Sequence, residues 1–213
     1  MSAVDGGNVT DEVAVTRSFG AAATLLALGG IAVAIALDPT FSWTTDALSD
    51  LGVRDRSAPA FNWGLILGGI AGVGYALGLW RSAAGSPIAA VRAAVLAFAM
   101  VAMAGVGVFD LTEPLHGPAA IGFYTLITVA FAVDGLARRS TTTGRVVLAF
   151  AAVHVAVWAT FVAGGWPVSG LALPELPGAL MLAAWVWVLG PLPVLGPMFD
   201  SVGTQPDGID EAD

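Results

Sequence analysis

Apolar residues fall in six long blocks, at 18–37, 61–80, 89–109, 119–137, 146–165 and 176–195. At ~1.5 Å per helical residue, about 20 residues cross a hydrocarbon layer ~30 Å thick. The blocks are continuous, whereas a membrane barrel strand alternates apolar and polar positions. In lipid an unpaired backbone group finds no water, so each block must be helical. The pattern predicts an all-α integral membrane protein, a bundle of six transmembrane helices in three hairpins. Gly68 with Gly72, and Gly74 with Gly78, are small-xxx-small pairs that permit close helix approach.

The polar stretches set the organisation. Residues 1–16 read as a disordered tail, 17–196 as the six-helix domain, and 197–213 as an acidic disordered tail. No basic leader or cleavage site precedes the first block. Arg17, Arg81, Arg92, Arg138, Arg139 and Arg145 fall on one side of the expected bundle, Arg54 and Arg56 on the other. That asymmetry puts both termini in the cytoplasm of a multi-pass cell-membrane protein. The Asn8-Val9-Thr10 sequon would then be internal and fortuitous. The first external loop is long and carries Phe41, Trp43, Leu48 and Leu51, so it should pack on the bundle.

Composition strengthens the membrane reading. The chain has 213 residues, 57% hydrophobic and 11% charged, against about 45–50% and about 25% in a soluble domain. No second domain fits beside six spans. The absence of cysteine excludes disulfides and thiolate chemistry. All eight basic residues are arginine and the formal net charge is −8, which leaves no basic patch for nucleic acid. An Asp-rich, Lys-free chain suggests a salt-loving archaeal source.

Candidate chemistry concentrates outside the spans. Asp110 and Glu113 follow the third block, where a helix C-terminus disfavours negative charge, so something should compensate them. Arg54, Arg56, His116 or a bound divalent cation could do so. Asp110, Glu113 and His116 are the candidate metal ligands. With one histidine at that depth, a multi-histidine zinc site is disfavoured. Asp50, Asp110 and His116 are the candidate acid–base groups, with Ser49 a weaker nucleophile. Ser49-Asp50-Leu51-Gly52 reads equally as a capped turn, and Asn62 as a tether for the second helix. Two ionisable residues lie within spans. Asp134 is placed to pair with Arg138 four residues on, and His154 reads as a packed neutral imidazole held by a carbonyl or a threonine.

Ser49-Asp50-Leu51-Gly52, Phe61-Asn62 with its Gly-rich helix, the Gly107-Val108-Phe109 helix end and His116 together resemble the domain-of-unknown-function 998 family of polytopic prokaryotic membrane proteins. The resemblance spans about residues 18–196 and implies the six-helix architecture without a reaction. In the family pattern proline often follows Gly-Val-Phe; Asp110 stands there in this chain. The expected function is a lipid- or isoprenoid-binding accessory protein with a polar pocket at the extracytoplasmic face. Ser49, Asp50, Asn62, Glu113 and His116 are its expected ligand-binding residues. The alternative is a membrane-embedded hydrolase or transferase acting on a lipid headgroup. A transporter is disfavoured because few polar groups line the bilayer centre. Expected partners are membrane lipids and a partner transmembrane helix or second copy, not nucleic acid. Asp50, Asn62, Asp110 and His116 are expected to meet at the outer mouth of the bundle.

Overall fold

The computed structural model describes residues 5–196. The chain folds into α1 (Asp5–Leu37), α2 (Ala58–Arg81), α3 (Pro87–Val108), α4 (His116–Ala137), α5 (Thr142–Val162) and α6 (Ala172–Ala184). A π-helical turn, Trp185–Leu189, continues α6, and a 3-10 turn, Leu48–Val53, interrupts the loop after α1. Six segments, the last being Ala172–Leu189, are long and apolar enough to cross a membrane. The protein is thus an all-helical, multi-pass membrane bundle. Leu25, Ile70, Phe98, Ile121 and Val162 point outward, an apolar belt suited to lipid.

From α1 to α5 each helix packs on the next, and the α6 segment closes the bundle against α4, α5 and α1. Glycine sets the tightest crossing. A Cβ on Gly64 would stand 2.8 Å from Gly30 Cα and 2.9 Å from the Leu26 carbonyl oxygen, so α1 and α2 meet backbone to backbone. Gly68 faces Ala23 and Ala27 on α1, whereas Gly72 faces Met100 on α3. The small-residue stripe of α2 therefore serves both neighbours.

Two expected boundaries are corrected. Helix α1 begins at Asp5, within the stretch read as a disordered tail. Thr16 and Phe19 pack where α2 exposes Gly78 and Gly74, so tertiary contact extends the helix beyond its apolar block. Residues 1–4, and the acidic tail at 197–213, lie outside the described residues. The last span begins at Ala172 rather than 176 and stops before 195. Pro174 sits in the first turn, where amide donors have no helical acceptor. Gly190 is extended, and its N–H reaches the Trp185 carbonyl at 2.6 Å to close the widened turn. The chain then doubles back, with Val194 N–H donating to Val186 O at 3.1 Å.

The loop after α1 packs over its end of the bundle. Leu48 and Leu51 are buried and Phe41 rests on the core. Arg54 clamps the loop through Asp38 at 2.6 Å and Asp46 at 2.8 Å. The Thr40 hydroxyl bond, then Arg54, hold the Asp38 carboxyl down at about 2. Arg54, then the Ser42 N–H, hold Asp46 below the usual carboxylate range. Ala172 N–H donates to Asp46 O at 3.0 Å, which joins this loop to the start of α6.

At the opposite end, buried Asp134 accepts bonds from Arg92 at 2.9 Å, from Arg138 through Nε at 3.0 Å and through Nη2, and from Trp185 Nε1 at 2.7 Å. The Asp134–Arg138 pair expected from spacing is present. Arg92 and Trp185 come from other helices and make the pair a node joining α3, α4 and the α6 segment.

Candidate functional site

A narrow cavity of about 80 Å³ runs inside the bundle between α1, α2, α3, α4, α6 and the 3-10 turn. Along α2 its wall extends from Phe61 to Tyr75, fourteen positions or roughly 21 Å of helix rise. Leu65, Leu96, Met100, Met103, Phe123 and Leu182 give it an apolar wall. Where the helices face one another, Ala23, Ala27, Gly72, Ala120, Ala179 and Ala183 leave a groove that no side chain fills.

Polar groups mark the two ends differently. At the end nearer the chain termini, Tyr75 OH donates to Leu192 O at 3.1 Å, and Thr24 Oγ1 accepts from Trp187 Nε1 at 2.7 Å. These groups are committed to the protein. At the loop end the cavity meets Ser49, His116, Tyr124 and Glu175. Among the described residues, Ser49 Oγ and Tyr124 OH have no hydrogen-bond partner. Glu175 accepts one bond, from Leu48 N–H at 2.8 Å. His116 Nδ1 lies 2.7 Å from the Phe109 carbonyl oxygen. A carbonyl accepts only, so Nδ1 carries the hydrogen, and Nε2 is an acceptor in the neutral ring.

The fold divides the expected polar cluster. Ser49 and His116 share the cavity wall. Asp50 turns back to accept from Ala47 N–H at 2.7 Å, but stays near enough to Glu175 for their charges to interact. Asn62 donates to the Gly52 carbonyl at 3.0 Å and tethers α2 to the loop, while its buried Oδ1 has no partner. Asp110 folds onto Thr112 through N–H at 2.8 Å and hydroxyl at 2.6 Å. Those two Thr112 bonds lower its carboxyl, and His116 adds to the effect. Glu113 is exposed, with its N–H bonded to the Asp110 carbonyl at 2.9 Å. Among the described residues, no three His, Asp or Glu side chains gather into a group that could hold a metal. Asp50 and Asn62 thus brace the first loop, Asp110 braces the second, and His116 and Ser49 reach the cavity.

Glu175 and Tyr124 are the cavity groups that sequence reasoning missed. Glu175 reads as a loop residue until α6 is seen to start before it. Tyr124 follows His116 by eight residues, about two turns along α4, and lines the same cavity. Its ring sits 6.0 Å from that of His154. His154 is fully buried, with Nδ1 2.7 Å from Thr128 Oγ1 and Nε2 3.1 Å from Trp158 Nε1. The indole only donates, so Nε2 must accept and the ring is a neutral Nδ1–H tautomer. That residue is structural, and threonine is its partner.

A family model described as "Protein of unknown function (DUF998)" matches residues 21–191. No curated protein matches the chain, and no solved structure does.

Proposed function

The chain belongs to the DUF998 family of proteins of unknown function, and we propose that it binds a single slender apolar chain, an acyl or isoprenoid lipid, inside its helical bundle. The carrying observation is the apolar cavity, with its uncommitted polar groups gathered at one end. Ligand pockets join an apolar wall to a few placed polar groups in this way. The arginine asymmetry favours termini in the cytoplasm, so the polar end would face outward at the cell membrane.

Native mass spectrometry of the protein released from mild detergent tests this reading. A lipid adduct of discrete mass is expected on the wild type. Ala120→Phe and Ala179→Phe, each on the cavity wall, should remove it while leaving the protein folded. Equal adducts on wild type and both variants would refute the proposal. The alternative, a hydrolase or transferase working through Asp50, Asp110 and His116, has less support. Both aspartates are engaged by neighbouring backbone, and Ser49 has no hydrogen bond to His116 that would activate it.

A further inference from the structure

We infer that the head of the bound chain is an uncharged hydrogen-bond donor, a hydroxyl, and not a phosphate. The inference rests on the chain-binding reading above and adds the chemistry of the head. The groups open at the cavity's polar end are the Glu175 carboxyl, His116, and the Ser49 and Tyr124 hydroxyls. A Glu175 carboxylate accepts, and so does His116 Nε2 when the ring is neutral. The two hydroxyls can donate or accept. A ligand hydroxyl can therefore donate to Glu175 or His116 while accepting from Ser49 or Tyr124.

A phosphate finds the opposite setting. No arginine lines the cavity. Arg54, which lies in the adjoining loop, is committed to Asp38 and Asp46. The loops at this end carry Asp38, Asp46, Asp50, Asp55, Asp110 and Glu113, and the first turn of α6 adds Glu175, against Arg54 and Arg56. Phosphate sites are built from guanidinium groups, ammonium groups or clustered backbone N–H donors. Here the Leu48 N–H, the amide nearest the cavity carboxyl, is already bonded to Glu175. An anion at the head position would meet a buried carboxyl, with no guanidinium or ammonium group on the cavity wall. The terminal end offers no second seat for a head, because Thr24 and Tyr75 are already hydrogen-bonded within the protein.

Three probes with one chain and different heads test this: geranylgeraniol, its methyl ether and its monophosphate. Quenching of intrinsic tryptophan fluorescence in the full-length protein in neutral detergent reads binding, with Ala179→Phe as the blocked control. The alcohol should bind at least tenfold more tightly than either the ether or the phosphate. Glu175→Gln should narrow the alcohol's margin over the phosphate several-fold. Ser49→Ala, whose hydroxyl supports no contact within the fold, should weaken the alcohol several-fold at unchanged melting temperature, so the test stands if Glu175→Gln does not fold. A phosphate that binds as tightly as the alcohol would overturn the inference while leaving chain binding intact. An ether equal to the alcohol would remove the donor requirement. If none of the three binds in a way Ala179→Phe blocks, chain binding fails, and this inference with it.

Discussion

Asp134→Asn removes one negative charge from a node that holds three helices, and its cost can be worked from the contacts. Asp134 is fully buried, and the Arg92 side chain is 9% exposed. Breaking a buried ion pair by removing one partner costs about 3–5 kcal/mol, because the other charge stays uncompensated. Arg138 is 24% exposed and can turn toward water or lipid headgroups, so its share is smaller. The asparagine can accept one or two of the bonds, but its NH2 group would face a guanidinium. For a chain of this size, ~2–4 °C of melting temperature is lost per kcal/mol. A fall of roughly 6–20 °C is therefore expected, read by tryptophan fluorescence during thermal unfolding in detergent. Arg145→Ala, at an exposed arginine of the same end, is the control and should change little. The double variant Arg92→Met/Asp134→Asn should recover part of the loss, since the stranded charge is gone. The reasoning is refuted if Asp134→Asn behaves like Arg145→Ala, or if the double variant is no better than the sum of the single ones.

Other outcomes follow from the loop and the helix crossings. Asp38 and Asp46 titrate below their unfolded values, so their contribution is present above about pH 4 and is lost as pH falls through the folded value, about 2 for Asp38. Limited proteolysis should therefore open the 38–57 loop between about pH 4 and pH 2, and Arg54→Ala should open it at neutral pH; a loop equally resistant in both tests contradicts the clamp. Gly64→Val forces a side chain between two backbones and should cost at least ~1–3 kcal/mol, with loss of the folded peak in size-exclusion chromatography. Gly178→Ala places a methyl 2.5 Å from His154 Nε2 and should disturb Trp158 fluorescence, whereas Ala179→Gly should not. Single cysteines at Arg56 and Thr142, both exposed, should label from outside and inside the cell respectively; the reverse pattern would invert the proposed orientation.

The sequence by itself determined the number of helices and where most of them lie. Membrane helices advertise themselves through continuous apolar blocks, because lipid requires every residue of a span to be apolar or internally satisfied. The Asp134–Arg138 pair was legible because a four-residue helical spacing is local. The packed loop after α1 was also legible, since Leu48 and Leu51 could not stay in water. Contacts between distant segments were not legible. Arg92 and Trp185 join Asp134 across separations of 42 and 51 residues, and Leu48 meets Glu175 across 127. Hydropathy assigned Glu175 to a loop, because prolines and a carboxyl mask the first turn of α6. It likewise stopped α1 short, because the packing that extends the helix comes from Gly74 and Gly78 on α2. Asp50, Asn62 and Asp110 sat at the right end of the bundle, but each found a neighbouring backbone group first. Short polar side chains next to a turn are captured locally at little entropic cost. The cavity was decided by tertiary structure alone, since an empty space belongs to five helices and a loop at once and leaves no mark on any one of them.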